Sequence, residues 1–343
     1  MNCLPIDIDK VEEFRTFFPE ILSLIESYTD KDESIALDLF NSYFKTSEIS
    51  ERLRNEGIAV PKVMIISPTM RCNLSCVGCY SKKYSREDEL ALEELDRVIT
   101  ESERLGVFFF IISGGEPFIK EGLFDVLKNH RSSFFWIFSN GTLFNKELAA
   151  EVKEKFTGFL IFSLEGFEDE TDSWRGKGTY KKVAKAMEYA RGEGIPFGFS
   201  VTPTKLNLDA LTGGEFLDKM IKRGCTIGIF SHYNHSANVP DVYSCDQKER
   251  ESLKSCVKKA NEEKKIFLID TRYMEELGGG CCGGNEILHI NSQGYVTPCP
   301  LLNITADSIR EKSLKDILRS ELFSDIRGRR SSFIIGSCPD TNV

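Results

Sequence analysis

Six short apolar runs alternate with longer amphipathic segments between residues 62 and 265, and this alternation constrains the fold more than any other feature of the chain. Each run has the length of a strand, and the segments between the runs carry apolar residues at helical spacing. Continuous apolar strands separated by helices are typical of an α/β fold with a parallel sheet covered by helices. Six such units favour a partial (β/α)6 TIM-like barrel over a short open sheet. The predicted strands are Val63–Ser67, Val107–Ser113, Phe134–Ser139, Phe159–Ser163, Phe197–Thr202 and Thr226–Ser231.

The amphipathic segments predict the helices of this barrel, the last of which follows the sixth strand. They span Arg86–Leu105, Gly122–His130, Asn145–Lys155, Thr179–Arg191, Leu208–Arg223 and Asp246–Lys264. In barrels of this kind, functional residues follow the strands at the carboxyl-terminal rim. Small and polar residues follow the predicted strands here, which indicates a functional site at that rim.

Two further regions flank the predicted barrel domain of residues 62–265. Residues 1–57 form a predicted helical extension, in which Phe14, Phe17 and Ile21 fall at helical spacing. We interpret this extension as a cap packed on the barrel rather than as a membrane-surface helix or a partner-binding face, because its charges are mostly acidic. Residues 266–343 form a predicted small C-terminal domain.

The C-terminal domain is predicted to contain a β-hairpin. Ile287–Ile290 and Tyr295–Thr297 have strand character and are joined by the turn sequence Asn-Ser-Gln-Gly. The second strand leads into Pro298–Pro300, and a short helix is predicted over Ser313–Ser320. The cysteines of this region are its most unusual feature.

The composition excludes several classes of protein. Lys plus Arg number 44 against 53 Asp plus Glu, and a net charge of −9 without a basic block argues against a nucleic-acid partner. No apolar run approaches the roughly 20 residues that span a bilayer, and Met1–Lys10 has no apolar core of a signal peptide. We therefore expect a cytoplasmic protein, in which thiols stay reduced. Clustering among the 11 cysteines then indicates a metal site or catalysis rather than disulfides.

Three of these cysteines follow the first predicted strand. Cys72, Cys76 and Cys79 have the spacing C-x3-C-x2-C on a glycine-bearing loop, so their thiolates can reach one metal centre. A structural zinc site would need a fourth ligand from a second paired motif, and no such pair follows in the sequence. Three thiolates fit an iron–sulfur cluster that leaves one iron open to a substrate or cofactor.

The cysteine spacing after the first strand, combined with Gly-Gly-Glu-Pro at residues 114–117 after the second, closely resembles the radical S-adenosylmethionine (SAM) superfamily. The resemblance covers about residues 62–235. It implies a [4Fe–4S] cluster whose open iron binds the amino and carboxylate groups of SAM. An electron from the cluster cleaves SAM, and the resulting 5′-deoxyadenosyl radical abstracts a hydrogen atom from the substrate. It also implies an external electron donor of the flavodoxin or ferredoxin type.

The resemblance also implies which residues contact SAM. The backbone and carboxylate of the Gly-Gly-Glu motif surround the methionine amino group, and glycine there allows close approach of the backbone. Ser163 and Arg175 resemble the pair that holds the SAM carboxylate and ribose, for which the bidentate fork of arginine is suited. Glu165 stands where the family has the shorter aspartate. The implied SAM contacts are Gly114, Gly115, Glu116, Ser139, Asn140, Ser163, Glu165, Arg175 and Thr202.

One position departs from the family pattern. The family places an aromatic residue directly before the third cysteine, against the adenine of SAM, whereas this chain has Gly78 there and Tyr80 directly after Cys79. Three interpretations are open. Tyr80 covers the adenine, another residue covers it, or the contact is absent. We include Tyr80 among the candidate SAM-binding residues.

A second set of cysteines accompanies the predicted hairpin. Cys282, Gly294 and Cys299 fit the pattern C-x9–15-G-x4-C, which resembles the auxiliary-cluster domains called SPASM and twitch. Cys281 fits with one more residue in the spacer, so the two neighbouring cysteines are not ranked. Because only Cys338 follows the hairpin, a twitch-like domain with one auxiliary iron–sulfur cluster is favoured, and zinc or no metal is the alternative. The resemblance implies electron relay or substrate anchoring for this cluster.

The sixth predicted strand leads into His232, Tyr233 and His235, which are candidates for substrate contact or proton transfer. An ordinary position in a surface loop is the equal alternative for the two histidines. The chain is therefore predicted to be a radical SAM enzyme that carries out an oxidation, a C–C or C–S bond formation, or a rearrangement. A peptide or protein substrate and a small metabolite or lipid are almost equally compatible with the sequence. The alternative from another class is a non-enzymatic zinc or iron–sulfur module with a structural or assembly role.

Overall fold

The structure is a computed structural model that describes residues 45–233, 241–272, 281–305 and 307–328. Within these ranges, nine strands form one sheet. The strands are β1 (Val63–Ile66), β2 (Phe109–Ile112), β3 (Phe134–Ser139), β4 (Gly158–Ser163), β5 (Phe197–Val201), β6 (Ile227–Phe230), β7 (Phe267–Asp270), β8 (Ile287–Ile290) and β9 (Val296–Thr297). Their order across the sheet is β7-β6-β5-β4-β3-β2-β1-β8-β9. Every neighbouring pair is parallel except β8 and β9, which form the predicted hairpin.

Helices follow most of the strands. They are α1 (Leu92–Arg104), α2 (Leu123–Leu127), α3 (Lys146–Lys155), α4 (Glu168–Arg175), α5 (Thr179–Glu193), α6 (Leu208–Thr212), α7 (Glu215–Arg223), α8 (Gln247–Glu263), α9 (Leu314–Leu318) and α10 (Glu321–Gly328). Residues 45–55 are also helical, and the rest of the predicted N-terminal extension that precedes them lies outside the described residues. None of the helices in the described ranges is long and apolar enough to cross a membrane.

The predicted parallel α/β sheet with its partial TIM-like barrel is confirmed, and all six predicted strands are present. The predicted helix over 208–223 is instead two helices, α6 and α7, because Gly213 and Gly214 interrupt it. Gly214 has a φ of +81°, a conformation that glycine adopts without steric cost. Helix α4 was not predicted, since its sequence is mostly polar and carries no continuous apolar stripe.

Three strands, β7, β8 and β9, extend the sheet beyond the six that were predicted for the barrel. β7 pairs with β6 at one edge, although it follows the predicted domain boundary at residue 265. β8 pairs with β1 at the other edge, where Val63 lies opposite Ile287 and Ile66 opposite Ile290. The hairpin therefore continues the barrel sheet, and the boundaries between the three predicted domains stay a prediction.

Apolar side chains pack in two layers on the two faces of the sheet. The first layer lies between the sheet and the helices and includes the buried rings of Phe110 and Phe135. The second layer lies inside the partial barrel, where the rings of Phe109 and Trp136 meet edge-on with centroids 4.8 Å apart. Neighbouring residues such as Phe109 and Phe110 alternate between the layers because successive side chains of a strand point to opposite faces. The carboxyl ends of the strands remain available for polar residues.

The C-terminal segment is attached to α1 by polar contacts. Arg310 pairs with Glu94 and Asp88 at N···O distances of 2.7 and 2.6 Å. Arg97 donates to the carbonyl of Ile309 at 3.0 Å. These contacts and the β1–β8 pairing hold the hairpin against the same strand that leads into the cysteine loop.

Candidate active site

The three cysteines of the predicted cluster lie on the loop that follows β1. Burial raises the pKa of the Cys72 thiol, and negative charge on Cys79 raises it further. Burial also raises the pKa of Cys76, the Arg175 guanidinium opposes this shift, and charges on the other two cysteines add to it. The three sulfurs therefore lie within electrostatic range of one another, as ligands of one centre must.

Two of these sulfurs also make local hydrogen bonds. The Leu74 amide donates to Cys72 Sγ at 3.4 Å, and Cys79 Sγ lies 3.1 Å from Ser81 Oγ. Among the described residues, no three Cys, His, Asp or Glu side chains are arranged to coordinate a single metal ion. A cubane cluster is wider than one ion, so its thiolate ligands stand farther apart than those of a mononuclear site. Ligation of a cubane cluster by these three thiols stays a prediction.

The Gly-Gly-Glu motif after β2 packs directly against the cysteine loop. The amides of Gly115 and Glu116 donate to the carbonyls of Thr69 and Arg71, both at 2.9 Å. A Cβ atom at position 115 would lie 2.1 Å from the Arg71 carbonyl oxygen, and Gly114 has a φ of +111°. The protein's own backbone therefore already requires both glycines, in addition to the ligand approach that the sequence predicted.

Glu116, Ser139 and Asn140 form one buried network. The Glu116 carboxylate accepts hydrogen bonds from Ser139 Oγ at 2.9 Å and from the Asn140 amide at 2.7 Å. Burial raises the pKa of this carboxyl to about 7, although the hydrogen bonds oppose the shift. Asn140 Nδ2 lies 3.7 Å from Cys72 Sγ, so the network reaches the cysteine loop. Three predicted SAM contacts are thus brought together beside the first cysteine.

Arg175, Glu165 and Thr202 form a second network beyond the ends of β4 and β5. Arg175 Nη2 donates to Glu165 Oε1 at 2.6 Å, and the Thr202 amide donates to Glu165 Oε2 at 2.9 Å. Burial acts to lower the pKa of Arg175, but the Glu165 carboxylate and the Cys76 thiolate hold it above its usual value. Arg175 Nε is buried and makes no hydrogen bond within the described part of the chain. A fixed cation with a spare N–H donor beside the cysteine loop fits an anionic ligand such as a carboxylate.

The structure also defines what Glu165 does in this network. Its carboxylate orients Arg175 and holds the chain at the end of β5. Ser163 ends β4 opposite Ser200 of β5 and is not the residue that orients Arg175. Its predicted contact with SAM stays a prediction.

Tyr80 is turned toward the end of β2. Its hydroxyl lies 3.0 Å from Ser113 Oγ and accepts a hydrogen bond from the Gly114 amide at 3.0 Å. Its ring meets the Tyr84 ring edge-on at 6.4 Å, and the Tyr84 hydroxyl donates to the Pro300 carbonyl at 2.9 Å. Tyr80 therefore links the cysteine loop to the sheet and, through Tyr84, to the hairpin region.

The candidates that follow β6 are described only in part. His232 Nε2 lies 2.9 Å from Asp270 Oδ1, and these side chains are only 9% and 3% exposed. Asp270 was not predicted because β7 was not predicted, although an acidic residue at the end of an apolar run is a signal that the sequence contains. Tyr233 packs edge-on against Trp174 with centroids 6.3 Å apart. His235 lies outside the described residues.

The auxiliary cysteines Cys281, Cys282 and Cys299 are all half-buried. A Cβ atom at Gly283 would lie 3.5 Å from Cys281 Sγ and 3.6 Å from Cys299 Cβ, so these two cysteines flank the same glycine. The Cys282 carbonyl accepts amide hydrogen bonds from the turn that follows it. Cys281 and Cys299 thus lie beside the same glycine, Cys282 is the direct chain neighbour of that glycine, and Cys338 lies outside the described residues.

His289 on β8 is a second residue of the site region that was not predicted. Its Nε2 lies 2.8 Å from Ser67 Oγ and its Nδ1 lies 2.8 Å from Thr297 Oγ1. Burial lowers its pKa to about 3, so the ring is neutral. The ring therefore connects Ser67, which follows β1, to Thr297 in the hairpin. A single histidine within an apolar strand is the sequence signal that could have identified this residue.

Known proteins share this arrangement of domains. The family model of the radical SAM superfamily matches residues 66–226, and that of the iron–sulfur cluster-binding domain SPASM matches residues 281–340. The AdoMet-dependent heme synthase of Methanosarcina barkeri is 26% identical over 78% of this chain and 85% of its own. The mycofactocin maturase MftC of Mycolicibacterium smegmatis is 26% identical over 82% of this chain and 76% of its own. The PqqA peptide cyclase of Granulibacter bethesdensis is 24% identical over 76% of this chain and 74% of its own.

The fold is also shared with solved structures. Streptococcus suis SuiB bound to S-adenosylmethionine superposes with a TM-score of 0.68 at 18% identity, over 81% of this chain and 70% of SuiB. At this level of identity the likeness concerns the fold alone.

The chain belongs to the radical SAM superfamily and carries a C-terminal SPASM iron–sulfur domain. It is a radical SAM enzyme, as its enzymatic relatives also indicate. Membership implies a [4Fe–4S] cluster and SAM as cofactors, and the SPASM domain implies auxiliary iron–sulfur clusters. The predicted family, enzyme class and cofactors are confirmed. The assignment of individual residues to these cofactors stays a prediction.

Proposed function

We propose that this enzyme cleaves SAM reductively and uses the resulting radical to modify a peptide. Cys72, Cys76 and Cys79 hold the [4Fe–4S] cluster in this proposal. The bound cluster and SAM together supply a 5′-deoxyadenosyl radical, which abstracts a hydrogen atom from the substrate. An external donor of the flavodoxin or ferredoxin type provides the electron, and an auxiliary cluster in the C-terminal domain serves electron relay or substrate anchoring.

The observation that supports this proposal most directly is the buried cation beside the cysteine loop. Arg175 is oriented by Glu165, and its Nε donor is left without a partner among the described residues. A planar guanidinium suits recognition of a carboxylate. On the side of the loop near Cys72, the Glu116 carboxyl is an acceptor suited to an ammonium group. Donors for a carboxylate and an acceptor for an ammonium together suit an amino-acid head group such as that of SAM.

The interior of the partial barrel provides the dry surroundings that radical chemistry needs. The apolar side chains inside it include Phe109 and Trp136, and Ile111 and Phe138 are half-buried against them. Apolar surroundings exclude water and protect a reactive intermediate.

A peptide substrate is supported by two of the relatives. One of them is named a peptide cyclase and another a maturase, and each aligns with at least 74% of both chains. A porphyrin-type substrate is the second candidate, because the relative named a heme synthase is covered over 85% of its length.

The experiment that tests the proposal is an anaerobic reconstitution with iron and sulfide. We expect about four irons per chain for a first cubane cluster and further iron for the auxiliary site, together with 5′-deoxyadenosine on addition of dithionite and SAM. Replacing Cys72, Cys76 and Cys79 with Ala removes all SAM cleavage, whereas Cys256→Ala, at a half-buried cysteine on α8, is the matched control. Zinc in the protein, or iron without SAM cleavage, would favour a structural module instead.

Deuterium transfer then separates the two substrate candidates. A deuterated peptide or a deuterated porphyrin is added to the active enzyme, and the 5′-deoxyadenosine is analysed by mass spectrometry. Label from the peptide is expected, and label only from the porphyrin would establish the second candidate.

A further inference from the structure

We propose, on the basis of the function proposed above, that the rings of Trp174 and Tyr233 supply the aromatic contact to the SAM adenine that the cysteine loop itself lacks. The loop carries Gly78 between its second and third cysteines. The structure places two rings from other elements directly against this glycine.

The contact at Gly78 is close. A Cβ atom built there would lie 3.1 Å from Tyr233 Cε2 and 3.5 Å from Trp174 Cζ2. Gly78 also has a φ of +64°, which side-chain-bearing residues rarely adopt. An aromatic side chain at position 78 would therefore collide with rings that already occupy that space. The absence of a side chain at Gly78 leaves the space that the rings of Trp174 and Tyr233 occupy.

The two rings are held in place before any ligand binds. The Val77 amide donates to the Trp174 carbonyl at 2.9 Å, which ties α4 to the cysteine loop. Trp174 also meets Tyr243 edge-on at 5.1 Å, and Tyr233 meets Tyr243 at 5.9 Å. These three half-buried rings form an aromatic cluster, whose perpendicular packing is a favoured geometry.

The position of this aromatic cluster suits a ligand that also reaches Arg175. Trp174 and Arg175 are consecutive on α4, and the charge of Arg175 acts on Cys76 of the loop. A ligand whose carboxylate meets Arg175 therefore has its remaining part within reach of the rings. Tyr80 is a weaker candidate, because its hydroxyl is engaged at the end of β2 by Ser113 and Gly114.

The test is a comparison of SAM affinities, measured by calorimetry on the anaerobically reconstituted enzyme without a reductant. Stacking of one base on an aromatic side chain contributes about 1–3 kcal/mol, so loss of a ring is expected to weaken SAM binding about tenfold. We expect this loss for Tyr233→Ala and Trp174→Ala, whereas Tyr233→Phe and Trp174→Phe keep the affinity. L-Methionine lacks the adenine, and its affinity is expected to be the same in all variants.

A second readout uses fluorescence. Trp174 is one of only two tryptophans, and the other, Trp136, is buried inside the barrel. In a Trp136→Phe background, SAM is expected to quench the emission of Trp174, and L-methionine is not. Tyr189→Ala, at a half-buried tyrosine on the outer helix α5, is the matched control and keeps wild-type SAM affinity.

The outcomes separate this proposal from the proposed function. Wild-type enzyme that neither binds nor cleaves SAM would overturn the function itself. Wild-type enzyme that cleaves SAM, with unchanged affinity in Tyr233→Ala and Trp174→Ala, would overturn only the role of the rings. Equal losses of SAM and L-methionine affinity would also overturn it, since they would show a general distortion of the loop.

Discussion

Arg175, whose side chain is 14% exposed, is paired with the buried carboxylate of Glu165, which is only 2% exposed. The pair stands between the cysteine loop and the ends of β4 and β5, so it serves both the fold and the proposed ligand. Removing one member of a buried ion pair leaves an uncompensated charge, whereas removing both charges does not. This difference allows the two roles to be separated by experiment.

Arg175→Ala is expected to lower the free energy of unfolding by about 3–5 kcal/mol, because Glu165 is left buried without its partner. The double variant Arg175→Gln with Glu165→Gln is expected to recover most of this stability. Neither variant is expected to bind SAM with wild-type affinity. Urea unfolding and calorimetric SAM titration measure the two quantities, and a double variant with normal SAM affinity would contradict the assignment of Arg175.

The auxiliary cysteines are tested at the level of single residues. Cys281 and Cys299 flank Gly283, and Cys282 precedes this glycine directly in the chain. We expect Cys299→Ser and the double variant Cys281→Ser with Cys282→Ser to reduce the iron content of the reconstituted protein, whereas Cys256→Ser on α8 leaves it unchanged. Iron and sulfide analysis checks this, and unchanged iron in Cys299→Ser would contradict an auxiliary cluster at these cysteines.

At the scale of elements, the cysteine loop is held by the segment that follows β2. The amides of Gly115 and Glu116 bond to the loop backbone, so the segment after β2 serves as a support for the loop after β1. This explains why two glycines stand at the end of a buried strand, where their flexibility would otherwise cost stability.

Gly115→Ala is expected to lower the free energy of unfolding by about 3 kcal/mol or more, because the new Cβ would press on the Arg71 carbonyl oxygen. Gly192→Ala, on the exposed surface of α5 with open space around it, is the control and is expected to raise the free energy by up to about 1 kcal/mol. Thermal or urea unfolding compares the two. Equal stability of both variants would contradict the close contact at Gly115.

The β1–β8 pairing depends on a neutral histidine, and this gives it a pH dependence. The pKa of His289 falls from 6.5 in the unfolded chain to about 3 in the folded protein, because burial disfavours the charged ring. The unfolded chain therefore binds more protons between these values. The stability contribution of neutral His289 is complete above pH 6.5 and is lost as the pH falls toward 3.

In the protein without its clusters, the free energy of unfolding is expected to decrease by about 2 kcal/mol between pH 7.5 and pH 5 through this histidine. His289→Gln is expected to lack this part of the pH dependence. Urea unfolding of both proteins at the two pH values gives the difference. An identical pH dependence in both would show that another group is responsible.

At the scale of the whole molecule, the C-terminal segment completes the sheet. β8 covers the edge of β1, and all four residues of β1 are buried. A parallel strand buried on both faces cannot form a stable sheet edge without exposing apolar surface and unpaired backbone groups.

A chain that ends at residue 272 is therefore expected to aggregate, because it lacks β8. A chain that ends at residue 328 keeps every described contact and is expected to stay folded and to elute in the same oligomeric state as the full chain. Size-exclusion chromatography and circular dichroism compare the two. A monomeric, cooperatively folding 1–272 fragment would instead show that the barrel is an independent domain.

Much of the fold could be predicted from the sequence because its elements are local. A buried parallel strand is a continuous apolar run, so β1 to β6 were visible, and three cysteines within eight residues indicate a shared centre wherever the loop lies. The pairing of β8 with β1 could not be predicted, because a strand only four residues long does not indicate its neighbour. Asp270 was not predicted because β7 was not, and His289 was not singled out because its partners Ser67 and Thr297 reach it only through the pairing of β8 with its neighbours.

The sequence by itself determined the order of strands and helices, the cysteine spacing and the resemblance to the radical SAM superfamily, since these depend on residues close together along the chain. Only the tertiary structure decided that Glu165 orients Arg175, that Gly115 supports the cysteine loop, and that Trp174 and Tyr233 stand against Gly78. The contacts of Gly115 and of the two rings join segments that are distant in sequence, and Glu165 and Arg175, ten positions apart, are brought together by the turn from β4 into α4. Their partners are chosen by the packing of the whole sheet, which no local pattern records.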